Sequence, residues 1–411
     1  MTLTKAEEFK LLNLLLDMGE MLYCSGGEVR RVENTISLMG KAYGAIETNV
    51  MVITASIIVT MKFSDGNLIT ETRRISSAGG NKLWRIESLN ALSRRCCEEP
   101  MPIDTLEKEI RNCKQPTKLW KFYLGSALAA GSFAVFFGGK IYDGIVAAIV
   151  ALIVCVLQRK IANVFPNNII FNVVCSFVVG VIIALSTKVV PSIHSDKVII
   201  GVIMILIPGI AFTNSVRDVL VGDTISGIMR LIESLLWAAG LAIGFMLALW
   251  CTNVNQSSSV SEVSNTVQLI TGTLGSVGFA VLFGLRVKYM PFAAIGGFLC
   301  WGMYLIGIDL FAGSIFFAGL LASAASAFYG EVTARIKKAP ATLFYITSII
   351  PLIPGSTLYY ACSNAVIKNF ETAQYYALRT LQYSLSIAAG ACIIWAITIT
   401  IENIKKNKKT K

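Results

Sequence analysis

Two proline–glycine dipeptides interrupt long apolar runs of the sequence, at Pro208-Gly209 and Pro354-Gly355. Proline lacks a backbone N–H, and a membrane tolerates the broken helix only where neighbouring groups, water or a ligand satisfy the freed backbone. The pair therefore predicts two stretches of backbone that can hold a small polar molecule. The alternative is a pair of packing kinks, because proline and glycine are common in membrane helices.

Polar side chains follow each break closely. They are Thr213, Asn214 and Ser215 after the first break, and Ser356, Thr357, Tyr359 and Asn364 after the second. Such groups can replace water around a zwitterion or a carboxylate, although serine and threonine also bond to a neighbouring helix or to their own backbone. We expect the ligand site to be lined by Pro208, Gly209, Asn214, Pro354, Gly355 and Ser356.

Charged residues lie just beyond the breaks, beginning with Arg217. The candidates for gating or ion coupling are Asp218, Asp223, Arg230 and Glu233, with Arg379 and Gln382 at approximately corresponding places later in the chain. A charge buried in an apolar segment is usually functional, whereas a charge in a loop is ordinary, and both interpretations stay open here. Further candidates for carrying a proton, near the ends of other apolar runs, are Asp143, Asp309 and Glu331.

The sequence argues against catalysis and against a bound cofactor or metal. Its one histidine, His194, stands in a segment that reads as a solvated loop, so the first 118 residues cannot form a Ser–His–Asp site. For the same reason no histidine-based metal site is expected. There is no phosphate-binding glycine loop, and the 10 cysteines have neither zinc nor disulfide spacing.

The first 118 residues predict a small soluble α+β domain. Helices are expected over 4–24, 28–43, 81–95 and 103–113, with a β-hairpin formed from 48–54, 56–63 and 68–75. The second helix opens with the motif Gly26-Gly27-Glu28-Val29-Arg30-Arg31-Val32-Glu33. Spacing alone assigns this motif to a solvated helix face with internal ion pairs.

From Leu119 onward the chain predicts a polytopic α-helical membrane protein. The whole sequence is 55% hydrophobic and only 15% charged, and its apolar runs are long enough to cross a hydrocarbon core of about 30 Å. About ten transmembrane helices are expected, over 119–138, 142–158, 168–187, 197–214, 229–250, 266–286, 290–306, 309–328, 341–361 and 380–401.

The membrane region is duplicated in the sequence at an offset of 146 residues. Segments 133–138, 147–149 and 206–209 match 279–284, 293–295 and 352–355. Five spans in each copy would make the second copy enter the membrane from the opposite side, which is the inverted-repeat plan. The predicted domains are a soluble domain at 1–118, repeats at 119–250 and 266–402, an external linker at 251–265 and a basic cytoplasmic tail at 403–411.

The distribution of basic residues predicts the orientation. Beyond residue 118 there are 20 Lys and Arg residues, and a chain that starts inside leaves 15 of them on the inner side. Only Lys140, Lys188, Lys197, Lys368 and Arg379 then lie outside. The positive-inside effect thus predicts that both termini and the soluble domain are cytoplasmic. The basic residues are not clustered on a soluble face, so nucleic-acid binding is not expected, and the acidic N-terminus does not resemble an export signal.

The chain resembles the threonine/serine exporter family over nearly its whole length. The resemblance rests on the 26–33 motif, on the strands that follow it, and on two five-span blocks whose fourth spans contain Pro-Gly. It implies efflux of threonine, serine or similar metabolites across the plasma membrane of a prokaryote, driven by an ion gradient. It also implies a conformational or assembly role for Gly26, Glu28, Arg30, Arg31 and Glu33.

Three rival functions stay open, one of them a scaffold or channel without ion coupling. Some split members of the family are associated with export of dicarboxylates such as succinate, for which Arg217, Arg230 and Arg379 would matter more because carboxylates favour bidentate guanidinium. The family's N-terminal domain has been described as hydrolase-like, although the missing histidine argues against a membrane-bound hydrolase here. The expected partners are a small-molecule cargo and the lipid bilayer, and a homo-oligomer is left open.

Overall fold

The computed structural model describes residues 3–53, 55–75, 80–114, 118–165, 167–254 and 263–409. The middle of the predicted external linker, 255–262, and the last two residues of the predicted tail lie outside the described residues. The chain divides into two compact units, one comprising Met1–Lys118 with Phe283–Leu285, the other comprising Leu119–Leu282 with Arg286–Lys411.

The first unit contains four helices and three strands. In chain order these are α1 (Lys5–Tyr23), α2 (Val29–Ala42), β1 (Glu47–Ile53), β2 (Ser56–Lys62), β3 (Leu68–Arg74), α3 (Leu83–Glu98) and α4 (Ile103–Asn112). The four predicted helices are confirmed. A capping box starts α1, because the side chain of Thr4 accepts from the N–H of Glu7 and the side chain of Glu7 accepts from the N–H of Thr4.

The strands form an antiparallel meander of three strands, in the order β1-β2-β3, rather than a single hairpin. Alternation along the central strand β2 points Ile57, Val59 and Met61 inward, where all three are fully buried. They share a core with the apolar side chains of α1, including Leu11 and Leu15. The domain therefore buries one face of its sheet under a helix, which is how an α+β fold covers apolar surface.

The second unit is entirely helical in its described residues and belongs to a polytopic membrane protein. Its helices are α5 (Leu119–Phe136), α6 (Ile141–Lys160), α7 (Asn168–Val189), α8 (Ser195–Leu206), α9 (Gly209–Val221), α10 (Thr224–Thr252), α11 (Asn265–Leu282), α12 (Met290–Leu310), α13 (Ile315–Lys337), α14 (Ala341–Ile349), α15 (Gly355–Val366) and α16 (Phe370–Lys409). Among described residues, 8 helices are long and apolar enough to span a membrane, or up to 10 spans if the bent pairs α8–α9 and α14–α15 each count as one.

Several helix boundaries repeat at the offset found in the sequence. The helices α5, α8, α9 and α10 begin at residues 119, 195, 209 and 224, and α11, α14, α15 and α16 begin 146 residues later in each case. Packing follows the same pattern, since α7 lies against α10 and α13 lies against α16. Two further contacts cross between the halves: α9 packs on α16, and α15 packs on α10.

The two halves meet along α5 and α11. A Cβ added to Gly125 would lie 2.4 Å from the backbone N of Leu282, and one added to Gly278 would lie 2.6 Å from the backbone N of Ala129. Small residues thus bring the two backbones together, as in close membrane helix pairs. Phe133 contacts Phe279, the residue 146 positions later, with ring centroids 5.9 Å apart.

Candidate functional site at the two helix breaks

Both predicted interruptions are present, and they have the same backbone conformation. Pro208, between α8 and α9, has φ −80° and ψ 47°, and Pro354, between α14 and α15, has φ −78° and ψ 46°. The N–H of Gly209 donates to the carbonyl of Ile207 at 2.9 Å, and the N–H of Gly355 donates to that of Ile353 at 2.8 Å. Each break is therefore an inverse γ-turn centred on proline, with bends of 55° and 49° between its two helices.

The two breaks touch each other reciprocally. A Cβ added to Gly209 would lie 2.6 Å from Cγ2 of Ile353, and a Cβ added to Gly355 would lie 3.0 Å from Cγ2 of Ile207. Met204 also approaches, with its Sδ 2.9 Å from the same Gly355 position. Each glycine therefore leaves room for the isoleucine of the opposite break. We call this meeting point the break crossing, defined by Ile207–Gly209 and Ile353–Gly355.

Most hydroxyls after the breaks bond to their own helices. Thr213 donates to the carbonyl of Gly209 at 3.0 Å, Thr357 to that of Pro354 at 3.2 Å, and Ser215 to that of Phe212 at 2.6 Å. These three hydroxyls therefore bond to the backbone of their own helices, which was the alternative to contact with a ligand. Ser356 is buried in the first turn of α15, and Asn214 is partly buried on α9.

The candidate gating charges lie mainly on helices rather than in loops. Asp218 on α9 and Arg230 on α10 form an ion pair with Oδ2 and Nη1 3.2 Å apart, and the Asp218 side chain is only 6% exposed. Asp223 precedes α10, and its N–H donates to the carbonyl of Asp218 at 2.9 Å. Glu233 follows Arg230 by one turn and is partly buried. The structure therefore brings Asp218, Asp223 and Arg230 together at the α9–α10 corner.

The two remaining arginines rest on aromatic rings. The guanidinium carbon of Arg217 lies 4.2 Å from the ring centroid of Trp395 on α16, and that of Arg379 lies 4.6 Å from the ring centroid of Tyr375. Trp395 in turn meets Tyr345 of α14 edge to face at 5.5 Å. Cation–π contacts of this kind hold an arginine in place while its N–H groups can still reach an anion.

His194 is not the solvated loop residue that the sequence suggested. Its Nδ1 lies 3.0 Å from Oδ2 of Asp143, a carboxylate with no exposed surface, and its backbone N–H donates to Oδ1 of Asp143 at 2.9 Å. The backbone N–H of Lys140 donates to the same carboxylate at 2.7 Å. Asp143 thus fastens the start of α6 to the segment before α8.

Lys197 was expected in an outer loop but lies in the first turn of α8, where it is 8% exposed. Its Nζ is 3.2 Å from Oδ2 of Asp196, which is equally buried. A Cβ added to Gly139 would lie 3.1 Å from Cβ of both Asp143 and Lys197, so the two pairs are neighbours.

The other two acidic candidates differ in their exposure. Asp309 is exposed at the end of α12. The Glu331 side chain is only 17% exposed and lies 3.6 Å from Arg335, one turn later on α13, whose side chain is 53% exposed. Among described residues, no group of three or more His, Cys, Asp or Glu side chains is arranged to hold a metal ion.

Comparison with known proteins decides the family. The family model described as "Putative threonine/serine exporter" matches residues 13–251, and a second, described as "Threonine/Serine exporter, ThrE", matches residues 268–397. The chain belongs to the threonine/serine exporter family. It is also 21% identical over 377 residues to the "Threonine/serine exporter" of Corynebacterium glutamicum, covering 85% of this chain and 74% of that protein. No solved structure matches it.

In this member of the exporter family, the 26–33 motif spans the end of the turn before α2 and the first residues of that helix. Gly26 has φ +90°, a left-handed conformation that favours glycine, and a Cβ there would lie 2.5 Å from Oδ1 of Asn81. Glu28 precedes α2, Arg30 is exposed, and Arg31 is partly buried. Glu33 accepts from the N–H of Val52 in β1 at 3.3 Å, so the solvated-face interpretation fails for this glutamate.

Sequence reasoning missed Asp196 and Lys197 as site candidates in this exporter. The sequence feature that could have identified them is an aspartate followed by a lysine directly before the uninterrupted apolar stretch 198–206. Charges at the end of a span are normally solvated. Here the packing of α5, α6, α7 and α15 around α8 buries them.

Proposed function

We propose that this protein exports small polar amino acids, threonine or serine first among them, through a site at the break crossing. Membership of the exporter family supports the direction and the class of cargo. The observation that carries the proposal is the reciprocal contact of the two Pro-Gly breaks, which brings four helix ends to one place. Its lining would be Pro208, Gly209, Asn214, Pro354, Gly355 and Ser356.

The chemistry of those four ends matches a zwitterion. The amino ends of α9 and α15 carry partial positive charge and unpaired N–H groups, which favour the cargo carboxylate. The carboxyl ends of α8 and of the 3₁₀ turn Ile350–Leu352 present carbonyls, which favour an ammonium group. Ile207, Ile353 and Met204 occupy the remaining space, so a short side chain fits better than a long one.

We propose further that the halves are inverted repeats and that an ion gradient, most simply a proton gradient, drives export. The shared offset of helix starts supports the repeat, and the crossing contacts α9–α16 and α10–α15 are reciprocal, as a twofold relation requires. Asp218, Asp223, Arg230 and Glu233 would serve as gate or coupling groups. The excess of basic residues on one side supports cytoplasmic termini in a prokaryotic plasma membrane.

For the soluble domain we propose a conformational or assembly role centred on Gly26, Glu28, Arg30, Arg31 and Glu33. Gly26 and Glu33 act through the turn and the contact with β1 described above. Arg30 is exposed on the first turn of α2. An exposed arginine beside a fixed turn is suited to contact another chain.

Counterflow into proteoliposomes tests the cargo. Vesicles loaded with unlabelled threonine should take up labelled threonine or serine without any ion gradient, and vesicles loaded with succinate test the dicarboxylate rival in the same assay. Gly209→Ala should slow the exchange, whereas Gly302→Ala is a matched control because its nearest neighbour would be 3.7 Å away. Succinate exchange without threonine or serine exchange would replace the proposed cargo. A comparison of metabolites in the medium of cells with and without the gene extends the test to other cargo.

Labelling from outside tests the inverted arrangement. In a cysteine-free background, Ser257→Cys in the predicted external linker should react with an impermeant reagent in intact cells, and Lys409→Cys should react only after the membrane is opened. Reaction of both positions from the same side would rule out an inverted repeat.

A further inference from the structure

The Asp196–Lys197 pair has one unbalanced oxygen. Oδ2 of Asp196 is 3.2 Å from the Lys197 ammonium, and both side chains are at least nine-tenths buried. Among the residues that the structure describes, no donor lies within hydrogen-bond distance of Oδ1, which is itself buried. An aspartate in a first helical turn ordinarily meets solvent or a backbone N–H, and this one meets neither with its second oxygen.

The buried Oδ1 has lone pairs that can accept a proton. Protonation would neutralise the Asp196 carboxylate and leave the Lys197 ammonium without its counter-ion, so it would act on both members of the pair. A metal cation fits less well, because Lys197 already places a positive charge beside the carboxylate. A cation of that kind also needs several oxygen ligands.

Other ionisable groups lie on the elements packed around the pair. From α6 and the segment before α8 come Asp143 and His194, next to Lys197 across Gly139. From α15 comes Tyr360, which lies within electrostatic range of Asp196 and stacks on Tyr376 of α16 at 4.9 Å. The other titratable side chains on the four helices packed against α8 are Lys121, Tyr123, Tyr142, Cys155, Arg159, Lys160, Cys175, Lys188, Tyr359 and Cys362.

The pair is connected to the break crossing along two paths. It occupies the first turn of α8, and the other end of this helix, at Leu206, leads directly into the first break. Its neighbour Tyr360 lies in the second turn of α15, which begins at the second break. A change of charge at Asp196 therefore acts on one helix of each broken pair.

We propose that Asp196 takes up and releases the coupling proton, with Lys197 as its internal counter-ion. This rests on the proposed exporter function. On protonation an O–H bond forms at Asp196 and its ion pair with Lys197 is lost, which favours a second arrangement of α8. On release, the proton leaves to water and the ion pair forms again. One proton entering as one cargo leaves balances the cycle.

The test is gradient-driven accumulation in proteoliposomes compared with counterflow. For one-to-one exchange, a difference of one pH unit supports an about tenfold cargo ratio. Asp196→Asn should keep counterflow within about twofold of wild type and lose the accumulation, because only the coupled step is removed. Asp196→Glu should recover part of the gradient-driven accumulation. Asp309→Asn, on an exposed acid, is the matched control and should accumulate normally.

Two results would overturn the proposal: Asp196→Asn vesicles that still reach the wild-type ratio, or a well-folded variant that loses counterflow as well, which would place Asp196 in the cargo path. Infrared titration of the purified full chain is independent of cargo. A protonated carboxyl band present in wild type and absent from Asp196→Asn supports the assignment, and an unchanged band overturns it. If wild-type vesicles exchange neither threonine nor serine, the proposed function fails, and the infrared titration still decides the role of Asp196.

Discussion

The two halves of the membrane unit share a backbone plan but differ in charge. Their broken helices begin and bend at equivalent places, 146 residues apart. Yet Asp196, Lys197, Arg217, Asp218 and Asp223 of the first half correspond to uncharged residues in the second, namely Thr342, Leu343, Ser363, Asn364 and Asn369.

The difference extends to how each broken pair is joined to the helix after it. In the first half, α9 and α10 are linked by the buried ion pair of Asp218 and Arg230. In the second half, α15 and α16 are linked by the hydroxyls of Thr357 and Thr380, 2.9 Å apart. The two halves therefore hold the same backbone geometry at the breaks, while the ionisable side chains on and beside the broken helices lie mainly in the first half.

The largest effect is expected at the shared geometry. Gly209→Ala should reduce threonine counterflow by about tenfold to a hundredfold, because its Cβ would meet the rigid Cγ2 of Ile353 at 2.6 Å and displace the site. Gly355→Ala should cost less, since its nearest atom is the flexible Met204 Sδ at 2.9 Å. Adding Ile353→Ala to Gly209→Ala should restore part of the rate. Wild-type counterflow in Gly209→Ala alone would contradict the role of the crossing.

The ion pair of the first half comes next. Arg230→Met should lower the free energy of unfolding by about 3 kcal/mol, because it leaves the buried Asp218 carboxylate without its guanidinium. The double variant Asp218→Leu with Arg230→Met should be more stable than either single variant. Denaturant unfolding in detergent measures both. Arg95→Met, at the pair with Glu109 whose side chains are 60% and 35% exposed, should change stability by less than about 0.5 kcal/mol. Equal losses at the two arginines would mean that burial of the first pair is unimportant.

The neutral link of the second half should be weaker. Thr380→Val removes the hydroxyl that faces Thr357 and keeps the shape of the side chain, so a loss of about 1 kcal/mol is expected. The same unfolding measurement applies. A loss as large as that of Arg230→Met would remove the distinction between the two halves.

The smallest effect on stability is expected for the solvent-exposed ion pairs of Lys10 with Asp104 and Glu107. Hydrogen bonds to Asp104 and then Glu107 raise the pKa of Lys10, and the hydrogen bond from Lys10 lowers the pKa of both carboxyls. The carboxyls therefore contribute stability that is present above their unfolded values of 3.8 and 4.5 and is lost as the pH falls through their lowered values. Lys10 contributes stability that is fully present below its unfolded pKa of 10.5 and is lost as the pH rises through its raised pKa.

Lys10→Met should accordingly weaken protection of the α4 amides slightly at neutral pH, and the difference from wild type should shrink as the pH falls through the lowered pKa values of Asp104 and Glu107. Hydrogen exchange on the full chain measures this, with Lys5→Met on the same helix as the comparison. A difference between Lys10→Met and wild type that persists unchanged at the acidic end would show that the ion pairs are not its cause.

Local features could be predicted from sequence because their cause is local. Pro208 and Pro354 lie inside long apolar runs, where a proline interrupts the helix, and the alternation of apolar residues in β2 determines its buried face. The ends of α10 and α16 could not be predicted from hydropathy, because both helices continue beyond their apolar runs. The third strand of the meander was recognised as a β run but not as a separate member of the sheet.

The site was predicted only in part, for a different reason. Sequence supplied Gly209 and Gly355 but not their contact with the opposite isoleucines, which depends on how distant helices pack. Lys197 and His194 were assigned to solvent because both lie at the end of a span. The contacts that hold these two residues come from Asp143 and Gly139, more than fifty residues earlier in the chain.

The reciprocal contact between the breaks has a meaning for ancestry. Gly209 meeting Ile353 while Gly355 meets Ile207 is the arrangement that two identical shorter polypeptides adopt when they associate face to face. In such a dimer every substitution appears twice, so an aspartate next to a lysine would be installed on both sides at once. A single chain that carries both halves is free of that constraint, because a residue such as Asp196 can differ from its counterpart Thr342 while the backbone of the two breaks stays alike.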